Sequence, residues 1–495
     1  MSLLLSPLSI QPHISESILF AIRSVYGFLL LLTLLMCVPQ WKRFFISEKW
    51  SGYAQSGPLI NALQSPSGAV VVATIWILLA ISLFLDQYVL IASFLNLLLC
   101  RYFFVDMRWK GVLRGMGAPG LMSYWLGAAV FVIECARNLA PSLVPLTVLV
   151  FQIDFAFIML SAGIYKATAG YAVNEGMEYG LANPEWGYWW TYYKKLKPHS
   201  YVFKTMNHLA WATEVVAGIM MLFPPTRFIG GAVMLLSFVF IRTQIRLGVL
   251  CEIVMLSCFL FFNPGSVGDQ AVVQLLKFYP VMPHSSLGTE HGSIRGILSS
   301  ALLCYLILMP LAHAGLFYNF YGKKRLRPIF QFALERFTNF FGIIIWRVFS
   351  VDVVNFFILI FRKDQKSGKR ILISRYGRRN SLRFNHVAES ITITSLFTTL
   401  KYYASNKSLF DQRILRYAHT LPCLEGEVLE FDYVRIRKQP KNFSFKTIAR
   451  FVVDPRTQSI EQINFTGGES LSAAHAASPV HEGYKPGSYA PAIKG

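Results

Sequence analysis

Charged residues are scarce in this chain. Asp, Glu, Lys and Arg make up only 15% of its 495 residues, whereas hydrophobic residues make up 54%. A soluble domain usually has about 25% charged residues, so this shortage excludes an ordinary soluble protein. We predict an all-α polytopic transmembrane bundle of about nine helices, followed by a small C-terminal α+β cytoplasmic domain.

Several motifs of soluble enzymes are also absent. The sequence has no Walker-type loop, no HExxH and no GxSxG, which excludes nucleotide hydrolysis, zinc proteolysis and serine hydrolysis by the usual machinery. Its seven cysteines include no CxxC pair, so we predict neither a disulfide framework nor a metal site. No basic segment precedes the first apolar run, which favours a retained helix over a cleaved signal peptide.

The net charge of +21 is concentrated in alternate loops between the apolar runs. This pattern is typical of cytoplasmic loops, and no nucleic-acid-binding motif accompanies it. It places the N-terminus outside and the C-terminus in the cytoplasm of a multi-pass protein of the plasma or inner membrane. The basic loops centre on Lys42, Arg108, Lys194, Arg242 and Lys323.

The apolar runs also predict the domain boundaries, because a span needs roughly 20 apolar residues. The predicted spans are 18–38, 68–85, 87–105, 120–138, 143–165, 205–223, 226–246, 248–263 and 294–317. The predicted segments are an extracytoplasmic 1–17, a transmembrane domain 18–320, interfacial amphipathic helices 321–365, a small α+β domain 366–466 and a disordered tail 467–495.

Two stretches after the last span each have two interpretations. The aromatic-rich segment 328–362 is either an amphipathic helix pair on the membrane surface or a further span. The basic stretch 362–383 either binds anionic lipid headgroups or is merely solvated. Beyond it, alternating residues predict strands at 370–374, 429–437, 443–453 and 460–465, and helices at 386–403 and 409–421.

Polar residues inside apolar runs are costly and often functional. On the fifth span, Gln152 and Lys166 fall on one helical face, whereas Asp154 faces elsewhere. Ala162 and Gly163 leave room beside the lysine or allow another helix to pack closely. Lys166 has three interpretations: a base made available by desolvation, a snorkelling lysine at a helix end, or the partner of an acid on another helix.

The sixth span carries Glu214 and His208. Glu214 either pairs with an arginine such as Arg242 or carries a proton, and His208 is either a helix-start contact or a supporting base. The loop between these spans is rich in tryptophan and tyrosine, including Trp186 and Trp189. Those rings either anchor the protein at the membrane surface or form a wall for a flat ligand such as a quinone. Arg242 and Arg246, one turn apart, suit an anionic group.

The fifth span, read as Q-x-x-F-x-F-x-x-x-x-A-G-I-Y-K over residues 152–166, resembles the membrane segment of the HTTM, or vitamin K-dependent carboxylase-like, superfamily. The following helix, with Glu214 and an exit at 224–227, is similar to the next helix of that family. The resemblance covers residues 15–320. It implies that Lys166 is the counterpart of the lysine proposed to deprotonate a hydroquinone, and that a quinone is the cofactor.

Two functions of different classes follow. One is a quinone- or lipid-dependent membrane enzyme with Lys166 as base. The other is a non-catalytic scaffold whose basic C-terminal domain binds membrane lipids or a protein partner. The expected catalytic residues are Lys166, His208 and Glu214, and the expected cofactor-binding residues are Gln152, Trp186, Trp189, Arg242 and Arg246.

Overall fold

The structure is a computed structural model, and it describes most of the chain. The predicted tail at 467–495 and the basic positions 375–383 lie outside the described residues, as do Arg108 and Lys323. The described residues are 12–107, 118–173, 176–278, 288–322, 325–345, 354–374, 384–402 and 407–465.

Long helices form along the apolar runs, and two of them begin at a serine cap. The Ser15 side chain accepts the amide of Ile18, and Ser65 accepts that of Gly68, so each satisfies a free amide of a first helical turn. Within the described residues, seven helical stretches are long and apolar enough to cross a membrane. They are Glu16–Phe45, Pro66–Phe84, Val89–Asp106, Pro119–Leu139, Pro141–Thr168, Arg227–Gln244 and Gly292–Gly322.

The two remaining predicted spans are also helical but differ from the seven. The sixth is a full-length helix with a polar face, and the eighth is short, although three further 3₁₀ residues extend it to Phe261. The helices are α1 Glu16–Cys37, α2 Pro66–Phe84, α3 Val89–Cys100, α4 Ala118–Leu139, α5 Val144–Thr168, α6 Tyr201–Leu222, α7 Arg227–Gln244, α8 Leu250–Cys258, α9 Val267–Leu276 and α10 Gly292–Gly322. Short helices also occupy Trp41–Phe45, Pro58–Leu63, Met177–Ala182 and Trp190–Tyr193.

Within the described residues, the segment 328–362 begins as a helix and ends as a strand. Its first part is one amphipathic helix, α11 (Pro328–Phe341), which ends at Gly342 in the left-handed conformation. The rest includes strand β1 (Phe356–Asp364), so the prediction of helix throughout was wrong. The run at β1 is short and rich in aromatic and branched residues, which suits a buried strand better than a span.

The C-terminal unit is a five-stranded antiparallel sheet in the order β2-β1-β3-β4-β5. Its predicted strands and helices are confirmed within the described residues, whereas β1 was not predicted. Phe397 of the first helix packs against Phe431 and Phe451 on one face of the sheet. The elements are β2 Arg370–Leu372, α12 Phe384–Tyr402, α13 Lys407–His419, β3 Glu427–Lys438, β4 Phe443–Asp454 and β5 Ser459–Asn464.

Residues of the predicted basic stretch form ion pairs inside this sheet. Lys363 and Arg370 both bind the buried carboxylate of Glu430, at 3.1 and 2.6 Å. Lys366 and Lys369, on the turn between β1 and β2, are exposed. Only this turn is therefore left, within the described part of the stretch, for the predicted contact with lipid headgroups.

The C-terminal unit packs on one end of the helix bundle, which we call the sheet end. Arg43, just beyond α1, pairs with Glu389 and lies 5.4 Å from the ring centroid of Tyr417. The amide of Phe443 donates to the carbonyl of Lys194 at 2.8 Å. Buried apolar residues of the bundle and of the sheet belong to one continuous core. The basic loops after α1, α5 and α7 thus lie at the same end, as their alternation predicts.

Candidate active site

Helices α5 and α6 approach each other closely at two glycines. A Cβ added to Gly163 would lie 2.8 Å from the Val215 nitrogen, and one added to Gly218 would lie 3.0 Å from the Leu160 nitrogen. Both distances are shorter than ordinary contacts, so only glycine fits without moving a backbone. Small residues at such a crossing are typical of helices that pack in a membrane.

The crossing brings Lys166 and Glu214 together. The Nζ atom of Lys166 lies 2.5 Å from Oε1 of Glu214, and the two residues are only 6% and 2% exposed. Of the three interpretations of Lys166, the ion pair with another helix is the one observed. The predicted pairing of Glu214 with Arg242 was wrong: Arg242 instead binds Glu252 at 2.5 Å, because the short α7–α8 connection places that acid within its reach.

Two polar atoms on the same face of α6 are buried without a hydrogen bond. They are Oε2 of Glu214 and Nδ2 of Asn207, and neither has a partner among the described residues. Asn207 lies two turns before Glu214 on the same face of α6, about 10 Å away along the axis. The buried ring of Tyr171 is close enough to Glu214 to interact with its charge. Buried polar atoms normally have partners, in the protein or in ordered water, so both atoms can bind a further polar group.

The other two polar residues noted on α5, Asp154 and Gln152, lie far from Lys166 along the helix. Asp154 accepts hydrogen bonds from Trp125 at 2.9 Å and from Tyr305 at 2.8 Å. Gln152 donates to the carbonyl of Leu260 at 2.6 Å. Both are roughly 20 Å from Lys166 along the helix axis. The prediction that Asp154 and Lys166 do not pair is confirmed, and Gln152 is not brought to the lysine.

His208 is exposed and accepts a hydrogen bond from the Trp211 indole at 3.3 Å. It is six positions from Glu214, which at 100° per residue points it to a different face of α6. The structure therefore does not place His208 beside Lys166 and Glu214.

The tryptophan-rich loop is fastened to the α7–α8 connection. Arg246 donates from Nη1 to the Pro184 carbonyl at 2.7 Å, and its backbone amide donates to the Trp186 carbonyl at 2.8 Å. Arg242 and Arg246 both lie over the ring of Tyr188, at 5.8 and 5.0 Å from its centroid. These contacts bring the two predicted arginines close to Trp186. Both arginines bind the loop itself and hold it in place.

The predicted tryptophans differ in environment. Trp186 is buried, whereas Trp189 is half exposed and donates from its indole to the Thr243 carbonyl at 3.0 Å. An exposed ring of this kind suits the membrane surface. Trp186 is the one that faces the interior of the protein.

The same loop contains a buried acid that the sequence analysis did not single out. Glu185 accepts hydrogen bonds from the Ile358 amide at 3.2 Å and from the Thr394 hydroxyl at 3.4 Å. Its burial raises the pKa to about 8, although these two hydrogen bonds lower it. Its neighbour Asn183 donates to the carbonyls of Val354 and Phe356, at 2.9 and 2.8 Å. The loop thereby joins the bundle to β1.

A second buried group of charges lies at the opposite end of the bundle. Arg23 binds Asp86, and its Nη1 lies 3.0 Å from Glu134. Arg137 binds Glu134 at 3.0 Å, as the three-residue spacing predicts, and also Glu16 at 2.5 Å. The cluster joins α1, α4 and the turn between α2 and α3. Each charge has an opposite partner, so its role is to hold the bundle together.

No family model matches the chain, and no curated protein and no solved structure matches it either. The resemblance to the HTTM superfamily therefore depends on the residues of α5 and α6 alone. What the site can do follows from its chemistry: a buried amine–carboxylate pair, with unpartnered polar atoms on the same face of α6, can move a proton and hold a polar group.

Proposed function

We propose that this chain is a membrane enzyme of the HTTM, or vitamin K-dependent carboxylase-like, type that removes a proton from a lipid-soluble substrate. The observation that carries the proposal is the buried Lys166–Glu214 pair with the unpartnered Oε2 of Glu214. The Asn207 amide on the same helical face would bind a second polar atom of the ligand. A quinol fits this set because it carries two oxygens on one flat ring.

The pair explains how a lysine can act as a base in an apolar site. Transfer of a proton from Nζ to Oε1 converts the ion pair into a neutral amine and a carboxylic acid. The neutral amine has a free electron pair and can accept a proton from an acidic hydroxyl. Lysine and a phenol have ordinary pKa values of about 10.4 and about 10, and such a match favours efficient proton transfer.

The charge of the site stays balanced throughout. The ammonium formed on Lys166 lies beside the anion left on the substrate, while Glu214 keeps the first proton. No isolated charge is created in the apolar interior, where it would be expensive. A quinone, when bound, would supply the redox chemistry. The residues of this chain bind it, exclude water and hold the proton at Nζ.

Mass spectrometry of an organic extract from the purified protein tests this proposal. We expect the wild type to retain a quinone or another lipid with an acidic hydroxyl. The double variant Lys166→Met/Glu214→Leu, which removes both charges together, should lose it. Glu252→Gln, which breaks the more exposed pair at the same end, is the control and should retain it. An extract with no such molecule from the wild type would refute the proposal.

A scaffold is the second candidate, and the exposed edge of the C-terminal sheet favours it. Strand β5 is an edge strand, and nearly all of its residues are exposed. Such an edge can pair with a strand of another protein. The variant Ile463→Lys should block that pairing without disturbing the core. Co-purification of a partner with the wild type but not with this variant would support the scaffold.

We further propose nine crossings with the sheet end in the cytoplasm. The support is the position of the basic loops at the sheet end, together with the alternating ends of successive helices. A reporter that is active only in the cytoplasm, fused to the C-terminus, should be active. An inactive reporter whose fusion protein is present in the membrane would contradict this orientation.

A further inference from the structure

A cleft of about 570 Å³ opens at the sheet end, between the C-terminal unit and the loop that precedes α6. One wall comes from the segment after the short helix Trp190–Tyr193, and the other from the hairpin between β3 and β4. This volume is in the range of small-molecule sites. The lining residues are Lys194, Lys195, Lys441, Asn442, Phe443 and Phe445.

The two walls of the cleft are fastened to each other. The backbone bond from Phe443 to Lys194 joins them at 2.8 Å. The Nζ atom of Lys194 lies 4.9 Å from the ring centroid of Trp190 and 5.6 Å from that of Phe445. These aromatic contacts place the ammonium group at the cleft wall without neutralising it.

The three lysines of the cleft differ from other basic residues nearby. Lys438, at the end of β3, binds the buried Glu178 at 2.5 Å. In contrast, none of Lys194, Lys195 and Lys441 has an ion pair with a carboxylate among the residues that the structure describes. Three positive charges therefore face one cleft without compensation, which suits an anion with several oxygens.

The surroundings of the cleft indicate where that anion comes from. Trp189, Tyr192 and Tyr201, next to it in the chain, are 50%, 57% and 82% exposed. Exposed tryptophan and tyrosine at the end of a transmembrane bundle mark the level of the lipid headgroups. The outer face of α6 also exposes Val202 and Leu209, an apolar surface for acyl chains.

We propose that this cleft binds the phosphate headgroup of an anionic phospholipid, with Lys194, Lys195 and Lys441 as its ligands and the acyl chains along the outer face of α6. The site is separate from the Lys166–Glu214 pair and does not depend on the proposed enzyme activity. A lipid held here would bridge the bundle and the C-terminal sheet at the membrane surface.

Native mass spectrometry of the full chain in detergent, titrated with dioctanoyl-phosphatidylglycerol, tests the proposal. Each basic residue near a membrane surface contributes about a fivefold gain in affinity for anionic lipid. The triple variant Lys194→Gln/Lys195→Gln/Lys441→Gln should therefore bind on the order of a hundredfold more weakly. Dioctanoyl-phosphatidylcholine, whose headgroup has no net charge, should bind the wild type weakly.

The control variant removes the same charge elsewhere on the C-terminal unit. Lys407→Gln/Lys446→Gln/Arg456→Gln changes three exposed basic residues that do not line the cleft and should bind phosphatidylglycerol as tightly as the wild type. Equal loss in the two triple variants would overturn the proposal, because it would show a general effect of charge. Inorganic phosphate that competes fully at equal concentration would also overturn it, because the site would then select a free anion.

Discussion

Glu185 offers a quantitative test of how the loop holds the C-terminal unit. Its carboxyl group is buried against β1 and α12, and no basic side chain binds it among the described residues. Burial raises its pKa from the ordinary 4.5 to about 8. The perturbation is Glu185→Gln, which keeps the shape and the acceptor oxygen but cannot ionise.

The direction in which pH changes the free energy of unfolding follows from proton binding. Between pH 4.5 and about 8 the folded protein keeps a proton on Glu185 that the unfolded chain has lost, so the free energy of unfolding falls as the pH rises. A tenfold change in proton affinity corresponds to about 1.4 kcal/mol. The full loss across this range is therefore about 5 kcal/mol.

The assay is thermal unfolding in detergent at pH 5 and pH 9, followed for the C-terminal unit. We expect the wild type to lose about 20 °C in unfolding midpoint between these values. Glu185→Gln should remove most of that loss and be the more stable protein at pH 9. Glu425→Gln, at an exposed position, is the control and should behave like the wild type. Equal pH dependence in Glu185→Gln and the wild type would refute the reasoning.

Three further variants test the packing. Arg23→Met leaves the buried Asp86 without its basic partner and should lower the free energy of unfolding by about 3–5 kcal/mol, whereas Arg295→Met, at a largely exposed pair, should change it by less than about 1 kcal/mol. Gly218→Ala should separate α5 from α6 and lower the unfolding midpoint, whereas Gly296→Ala, which meets nothing within 4 Å, should not. Asn183→Ala removes one hydrogen bond to Phe356 of β1 and one to Val354 just before it. It should cost about 2–3 kcal/mol and speed tryptic cleavage of the C-terminal unit, and unchanged cleavage would contradict the proposed link.

Much of the fold could be predicted because its signals are local. The apolar runs locate the helices, and alternation along 429–437 identifies β3. Strand β1 was missed because its run is apolar throughout and follows a true amphipathic helix. Such a run has no periodicity that separates a buried strand from a helix. Its identity depends on pairing with β3, far away in the sequence.

The site was predictable only in part, for the same reason. Lys166 and Glu214 were each identified as polar residues in apolar helices, but their pairing depends on which helices are neighbours. The glycines at 163 and 218 are the signal that could have revealed it. The role of Glu185 could not be predicted from the sequence, since the residues that bind it lie some 170 or more positions later in the chain.

Oxygen uptake by the protein in nanodiscs supplied with menadiol tests most directly the proposal that Lys166 acts as a base. A hydroquinone reacts with oxygen through its anion, so a base that removes its proton raises the rate. We expect the wild type and Glu252→Gln to exceed empty nanodiscs by about 10²-fold or more, and Lys166→Met/Glu214→Leu to match empty nanodiscs. A folded double variant that keeps the wild-type rate would contradict the account.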